Sequence, residues 1–186
     1  MNSTKKHMAE SLKRLLLKKP ITKITIADIT EDCGLSRMTF YYHFQDIYDL
    51  VEWMCEEEAL AALGNNRTYD TWQQGFIAIL ESVRVNKPFI MNVYRSVDRA
   101  QIERYLTRVV EKLMMEVINE QAQGLNISEE SKRYVVNFYM YGFIGIMLKW
   151  IQDDMKTEPA KIADMTATII HGDFRRALER MSGANL

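Results

Sequence analysis

A chain of 186 residues with 24 Lys and Arg against 25 Asp and Glu, 47% hydrophobic and 26% charged, has the balance of one large or two small folded domains and excludes a disordered or fibrous polymer. Its two cysteines, Cys33 and Cys55, lie far apart without a C-x-x-C pair or clustered histidines, which excludes a disulfide framework and a zinc-type site; no metal and no cofactor is expected. The net charge of −1 hides an asymmetry: residues 1–45 hold eight basic and four acidic side chains (+4) and the remainder 16 and 21 (−5), the distribution of a protein that docks one end on a polyanion.

Apolar residues recur at the helical period along nearly the whole chain, and no alternating run competes, which predicts an all-α fold of about nine helices. Met8, Leu12, Leu15 and Leu16 form one face of a first helix, ended by Lys18-Lys19-Pro20 because the residue before proline is driven out of the α region. A short loop follows. Thr25 is placed to cap a helix from Ile26 to Cys33, with Asp28 completing a capping box and Gly34 closing the helix in the left-handed conformation. Ser36 caps a third helix, Arg37 to about His43, and Asp46 a fourth that runs from Ile47 toward Leu63. Gly64-Asn65-Asn66-Arg67 is the clearest breaker, so the expected division is 1–46, a connecting helix 47–63, and 67–186. Beyond the break the period predicts helices at 69–86, 88–96, 98–122, 129–153 and 158–182. The start of the chain lacks an apolar leader, and no run of about 18 uninterrupted apolar residues occurs, so no membrane span is expected and the protein is placed in the cytoplasm.

Two short helices joined by "CGLS", the second bearing Arg and hydroxyl side chains, match a helix-turn-helix, whose second helix enters the major groove of DNA. Ile26, Ile29, Leu35, Phe40 and Phe44 are spaced to form its small core, leaving Arg37, Met38, Thr39, Tyr41, Tyr42 and His43 at the open face or rim. No acid, Ser or Cys stands at a spacing that would make His43 catalytic, so no enzyme is expected.

At Thr25, Ile29, Cys33, Gly34, Leu35, Ser36, Thr39, Phe40, Tyr41, His43 and Phe44 the sequence resembles the TetR family of bacterial transcription regulators, over residues from about 8 to 52. The resemblance implies a homodimer that binds a palindromic site in double-stranded DNA, acting as a repressor. It assigns the DNA-binding role to Thr25, Ser36, Arg37, Met38, Thr39, Tyr41, Tyr42, His43 and Gln45, with Thr25 and Tyr42 on phosphates. One departure concerns charge. Many family members carry Lys at the positions of Gln45 and Ile47; without them non-specific affinity is either below the family norm or supplied by Lys5, Lys6 and Lys23 instead.

The resemblance also implies that the rest of the chain holds an effector pocket and pairs two subunits through its last two helices. The pairing residues expected are Gly142, Phe143, Gly145, Ile146 and Trp150, glycine permitting close approach; a buried helix packed within one chain is the alternative reading of the same glycines. Trp72, Phe76, Phe89, Met91, Tyr94, Tyr105, Met114, Phe138 and Met165 are the candidate lining of an apolar pocket, though aromatic and Met stripes also make plain core. Both a small apolar effector and a partner protein stay open as controlling signals. A protein-binding adaptor or co-activator controlled by such a partner is the rival function.

Overall fold

A computed structural model describes residues 2–183; the expected domain limits at 1 and at 184–186 lie outside them. Among the described residues there are only helices and connections: α1 (Asn2–Leu16), a 3-10 turn (Ile21–Lys23), α2 (Ile26–Asp32), α3 (Arg37–His43), α4 (Ile47–Leu63), α5 (Trp72–Val85), α6 (Lys87–Ser96), α7 (Arg99–Gln121), α8 (Glu129–Gln152), α9 (Pro159–Ile170) and α10 (Asp173–Gly183). The fold is all-α, with the helix-turn-helix near its amino terminus.

The chain divides into two compact units. The first comprises Met1–Leu60 and Val85–Ile102. Met8, Leu12 and Leu16 of α1, Ile29 of α2, Phe40 of α3 and Leu50 and Met54 of α4 are buried together, and Phe89 of α6 is buried with them. The division expected from sequence gave α6 to the other domain. Its place in the first unit follows from Asn92, whose Nδ2 donates to the Leu16 and Lys19 carbonyls (2.8 and 3.2 Å) and whose Oδ1 accepts from the Ile21 N–H (3.2 Å). That one side chain satisfies backbone groups that the end of α1 and the 3-10 turn leave open.

The second unit comprises Ala61–Arg84 and Glu103–Leu186. Its core gathers Met114, Val117 and Ile118 of α7, Val135 and Val136 of α8, Ile170 of α9, and Phe174 and Leu178 of α10. The helix expected over 158–182 is two helices. Gly172 takes φ +73, a value at home only for glycine, and its N–H donates to the Tyr69 hydroxyl (3.1 Å), so the chain turns between Ile170 and Asp173. α8 is long and apolar enough by length and composition to cross a membrane, but half of its most apolar window is buried within the protein.

Candidate nucleic-acid interface and interior cavity

The turn between α2 and α3 is built by local rules. The Gly34 N–H donates to the Glu31 carbonyl (3.3 Å) and the Leu35 N–H to that of Thr30 (2.8 Å), the paired bonds of a Schellman ending, with Gly34 at φ +67. Ser36 then caps α3, its Oγ accepting from the Thr39 N–H (3.1 Å). At the other end of the motif Thr25 and Asp28 form a reciprocal capping box: the Thr25 Oγ1 accepts from the Asp28 N–H (3.1 Å) and the Asp28 carboxylate accepts from the Thr25 N–H (2.6 Å).

This frame fixes which side of α3 faces out. Phe40 is wholly buried and Phe44 nearly so, their ring centroids 5.8 Å apart, while Arg37, Met38, Tyr41 and Tyr42 are exposed, Met38 at 84% and Tyr42 at 75%. Thr39 and His43 are half-buried, Thr39 with its hydroxyl 2.9 Å from the Ser36 Oγ and His43 edge-on to Tyr42 at 4.9 Å. Four exposed large side chains on a helix of two turns make one continuous face able to meet base edges and phosphates. Gln45 and Thr25 are exposed as well.

Two details of charge could not be read from sequence. Lys5 stands over the rings of Phe44 and Trp53, 5.2 and 5.5 Å from their centroids, so a cation does sit beside the start of α4 although Gln45 and Ile47 are uncharged. The Thr25 hydroxyl donates its proton to Asp28 (2.8 Å), so toward a phosphate it competes with its own cap.

Asp28 also accepts from Lys19 (2.9 Å), and that bond, with the two from Thr25, holds its carboxyl down to about 2. A depressed carboxyl contributes stability that is complete above its ordinary value near 4 and lost as pH falls through about 2. Thermal unfolding of wild type and Asp28→Asn should therefore differ above pH 4 and converge below pH 2; a difference independent of pH would show that the charge plays no part. Both thiols are held toward the protonated form: burial raises the Cys33 pKa, and burial with the Glu58 charge pushes Cys55 up to about 12.

The second unit contains an apolar cavity with about 700 Å³ of free space, open solvent at its mouth included. Of the residues named from sequence, Trp72, Phe76 and Met114 line it, together with Phe143, Met147 and Phe174. Phe143 meets Trp72 and Phe76 edge-on at 5.6 and 5.0 Å. Phe89, Met91 and Tyr94 belong to the first unit, and Tyr105 does not line the cavity. Phe138 and Met165 are 71% and 59% exposed.

The residues expected at a subunit interface also separate. Gly142 and Gly145 are exposed, with nothing near where a Cβ would stand, and Ile146 is half-buried. Trp150 is buried, its Nε1 donating to the Thr157 carbonyl (2.8 Å), and Phe143 faces the cavity. The outer face of α8 instead presents Tyr134, Phe138, Tyr141, Gly142 and Gly145, and α9 exposes Met165 and Ile169.

Residues 10–54 match the family described as bacterial regulatory proteins, tetR family, and residues 70–172 match the transcriptional regulator C-terminal region. Over 118 residues the chain is 26% identical to the HTH-type dhaKLM operon transcriptional activator DhaS of Lactococcus lactis subsp. lactis strain IL1403; the match covers 63% of this chain and 62% of that protein, under two thirds of its length. The solved structure of the dihydroxyacetone kinase operon activator DhaS aligns with a TM-score of 0.69 at 20% identity, over 93% of this chain and 97% of that one. A TetR transcriptional regulator from Streptococcus agalactiae 2603V gives 0.59 at 20% identity, over 91% and 94%. At these identities the two structures share the fold.

Proposed function

We propose that this chain, which belongs to the TetR family of bacterial transcription regulators, binds a palindromic operator as a homodimer and changes its DNA affinity when a signal reaches its second unit. The observation that carries this reading is the exposed face of α3, whose Arg37, Met38, Tyr41 and Tyr42 project from a helix held down by Phe40 and Phe44. Seven residues of reading helix offer too few base contacts for specificity, and a two-fold partner doubles them. The outer face of α8 supplies an apolar surface for that pairing. Control has a covalent route: α4 begins shortly after α3, and its last residue, Leu63, lines the cavity. A regulator of this kind acts in the cytoplasm, and it is not an enzyme.

Repression is the sense proposed first, because a dimer that covers a promoter needs no further surface. The name of DhaS, an activator, favours a second reading in which the bound dimer recruits transcription. A reporter driven by the chain's own operator, with and without the chain, decides between the two.

Binding to duplex DNA tests the core of the proposal. Log affinity should fall linearly with log salt, at roughly −0.9 per phosphate neutralised. Arg37→Ala should cost about 1–3 kcal/mol on the operator and flatten discrimination at one base pair. Thr25→Ala should weaken all sequences alike and also lower thermal stability, by about 1 kcal/mol, because its hydroxyl is the α2 cap. No binding at low salt, or an Arg37→Ala loss equal on operator and random DNA, would overturn the assignment.

A further inference from the structure

Among the described residues that line the cavity of the second unit, Arg67 alone is charged. Its Nε is shut off from solvent and has no protein acceptor. A guanidinium keeps its proton under all conditions in which a protein stays folded, so this donor cannot be neutralised in place. It calls for an acceptor that enters from outside.

The loop that carries Arg67 is held from both sides. α4 ends at Gly64 with φ +52, the Asn66 N–H donates to the Leu63 carbonyl (2.8 Å), and the Thr68 N–H donates to the Thr71 Oγ1 (3.2 Å). Gly75 of α5 lies so close that a Cβ there would stand 2.5 Å from the Asn66 carbonyl oxygen and 2.8 Å from a Leu63 methyl. The backbone that carries the guanidinium is thus held in place before any ligand arrives, which lowers the ordering cost of binding. Around it the wall is aromatic and aliphatic, with Trp72, Phe76 and Phe143 meeting edge to face.

We propose that this cavity binds a small monocarboxylic acid with an apolar body, its carboxylate on Arg67 and its body among Trp72, Phe76 and Phe143. A single guanidinium, with no second cation among the described lining residues, suits one negative charge; a phosphate dianion would leave charge unmatched in an apolar site. The apolar wall selects against small hydrophilic anions, which gain nothing by leaving water. The proposal deepens the reading of the chain as a signal-controlled regulator and rests on it.

Calorimetric titration of the full chain with octanoate and with 4-phenylbutanoate, each beside its primary amide, tests it. At least one acid should bind about tenfold or more tightly than its amide, the difference that a charge-assisted bond to Arg67 supplies. Arg67→Gln should bring that acid down to the level of the amide and leave the amide unchanged, and Ile79→Trp, which fills the cavity without touching the charge, should abolish both. Equal binding of acid and amide, no binding of either pair, or binding that survives Ile79→Trp would overturn the proposal. If Arg67→Gln does not fold, the acid–amide difference in wild type and its loss in Ile79→Trp still decide. DNA binding of the same wild-type preparation without acid keeps the two readings apart: intact DNA binding with no acid preference removes only this inference, whereas acid preference without DNA binding removes the regulator reading.

Discussion

Phe40→Ala will destabilise the first unit by about 3–5 kcal/mol, the usual cost of emptying a fully buried phenylalanine site. That is a large part of the roughly 5–15 kcal/mol that holds a typical domain together. Phe40 packs in the cluster that joins α1, α2, α4 and α6, and its ring meets Phe44 at 5.8 Å and Tyr41 at 5.9 Å, so the loss loosens the face of α3 itself. In calorimetry an early transition should separate from that of the second unit, and DNA affinity should fall with it. Tyr42→Ala is the control. That side chain is 75% exposed, so its removal should change stability by no more than about 0.5 kcal/mol while still weakening DNA binding. A Phe40→Ala protein with unshifted melting, or a Tyr42→Ala protein with unchanged DNA affinity, would show that the inside and outside of α3 have been assigned wrongly.

What could be read in advance from the sequence was what neighbouring residues decide among themselves. Thr25 with Asp28, Gly34 before Leu35, and Ser36 with Thr39 each complete a cap within a few positions, and the structure places every one of those bonds. The period of Phe40 and Phe44 likewise sets the inner side of a two-turn helix. α8 defeats the same reasoning. It is apolar around most of its circumference, so nothing local fixes its rotation, and residues five apart, such as Phe138 and Phe143, lie roughly 140° apart on the wheel. Burial then assigns Phe143 to the cavity and Phe138 to the outside, the reverse of the expectation. The break after Ile170 was hidden because the apolar period of α9 and α10 continues through Gly172. The bond that marks the break comes from Tyr69, which is remote in sequence.

Long-range partners account for the other gaps. Asn92 draws α6 into the first unit through three backbone groups that no sequence pattern links to it. Arg67 lies in a stretch whose "GNNR" announces a turn and a boundary but says nothing of an Nε closed off from solvent beside an apolar wall. Lys5 shows the same limit for charge. Its place over Phe44 and Trp53 brings a cation to the start of α4 from a helix 40 positions earlier in the chain, roughly where the family pattern led one to expect lysine.

Gly145→Leu will convert the proposed dimer to monomer at micromolar concentration. Gly145 is exposed on α8 and a Cβ there would meet nothing within 4 Å, so the substitution has room in the single chain. Leucine is also a better helix former than glycine, by somewhat less than the roughly 0.8–1.0 kcal/mol that separates glycine from alanine, so the variant should unfold no earlier than wild type in any transition not linked to association. In the proposed dimer the same side chain, projected into a second copy of α8, would hold the two helices apart where Tyr141 and Gly142 would otherwise approach their partner. An interface of stable size buries about 1,200–2,000 Å² or more, and the loss of close packing at its centre should cost at least about 2 kcal/mol, near thirtyfold in dissociation constant. Tyr141→Glu reaches the same end by another cause, an uncompensated charge on an apolar face, and should act without changing the fold because Tyr141 is exposed. Sedimentation equilibrium reads the outcome, and operator affinity should fall with dimer content in both variants. Wild type that sediments as a monomer at micromolar concentration, or Gly145→Leu and Tyr141→Glu proteins that stay dimeric, would move the pairing surface away from α8 and take the palindromic operator with it.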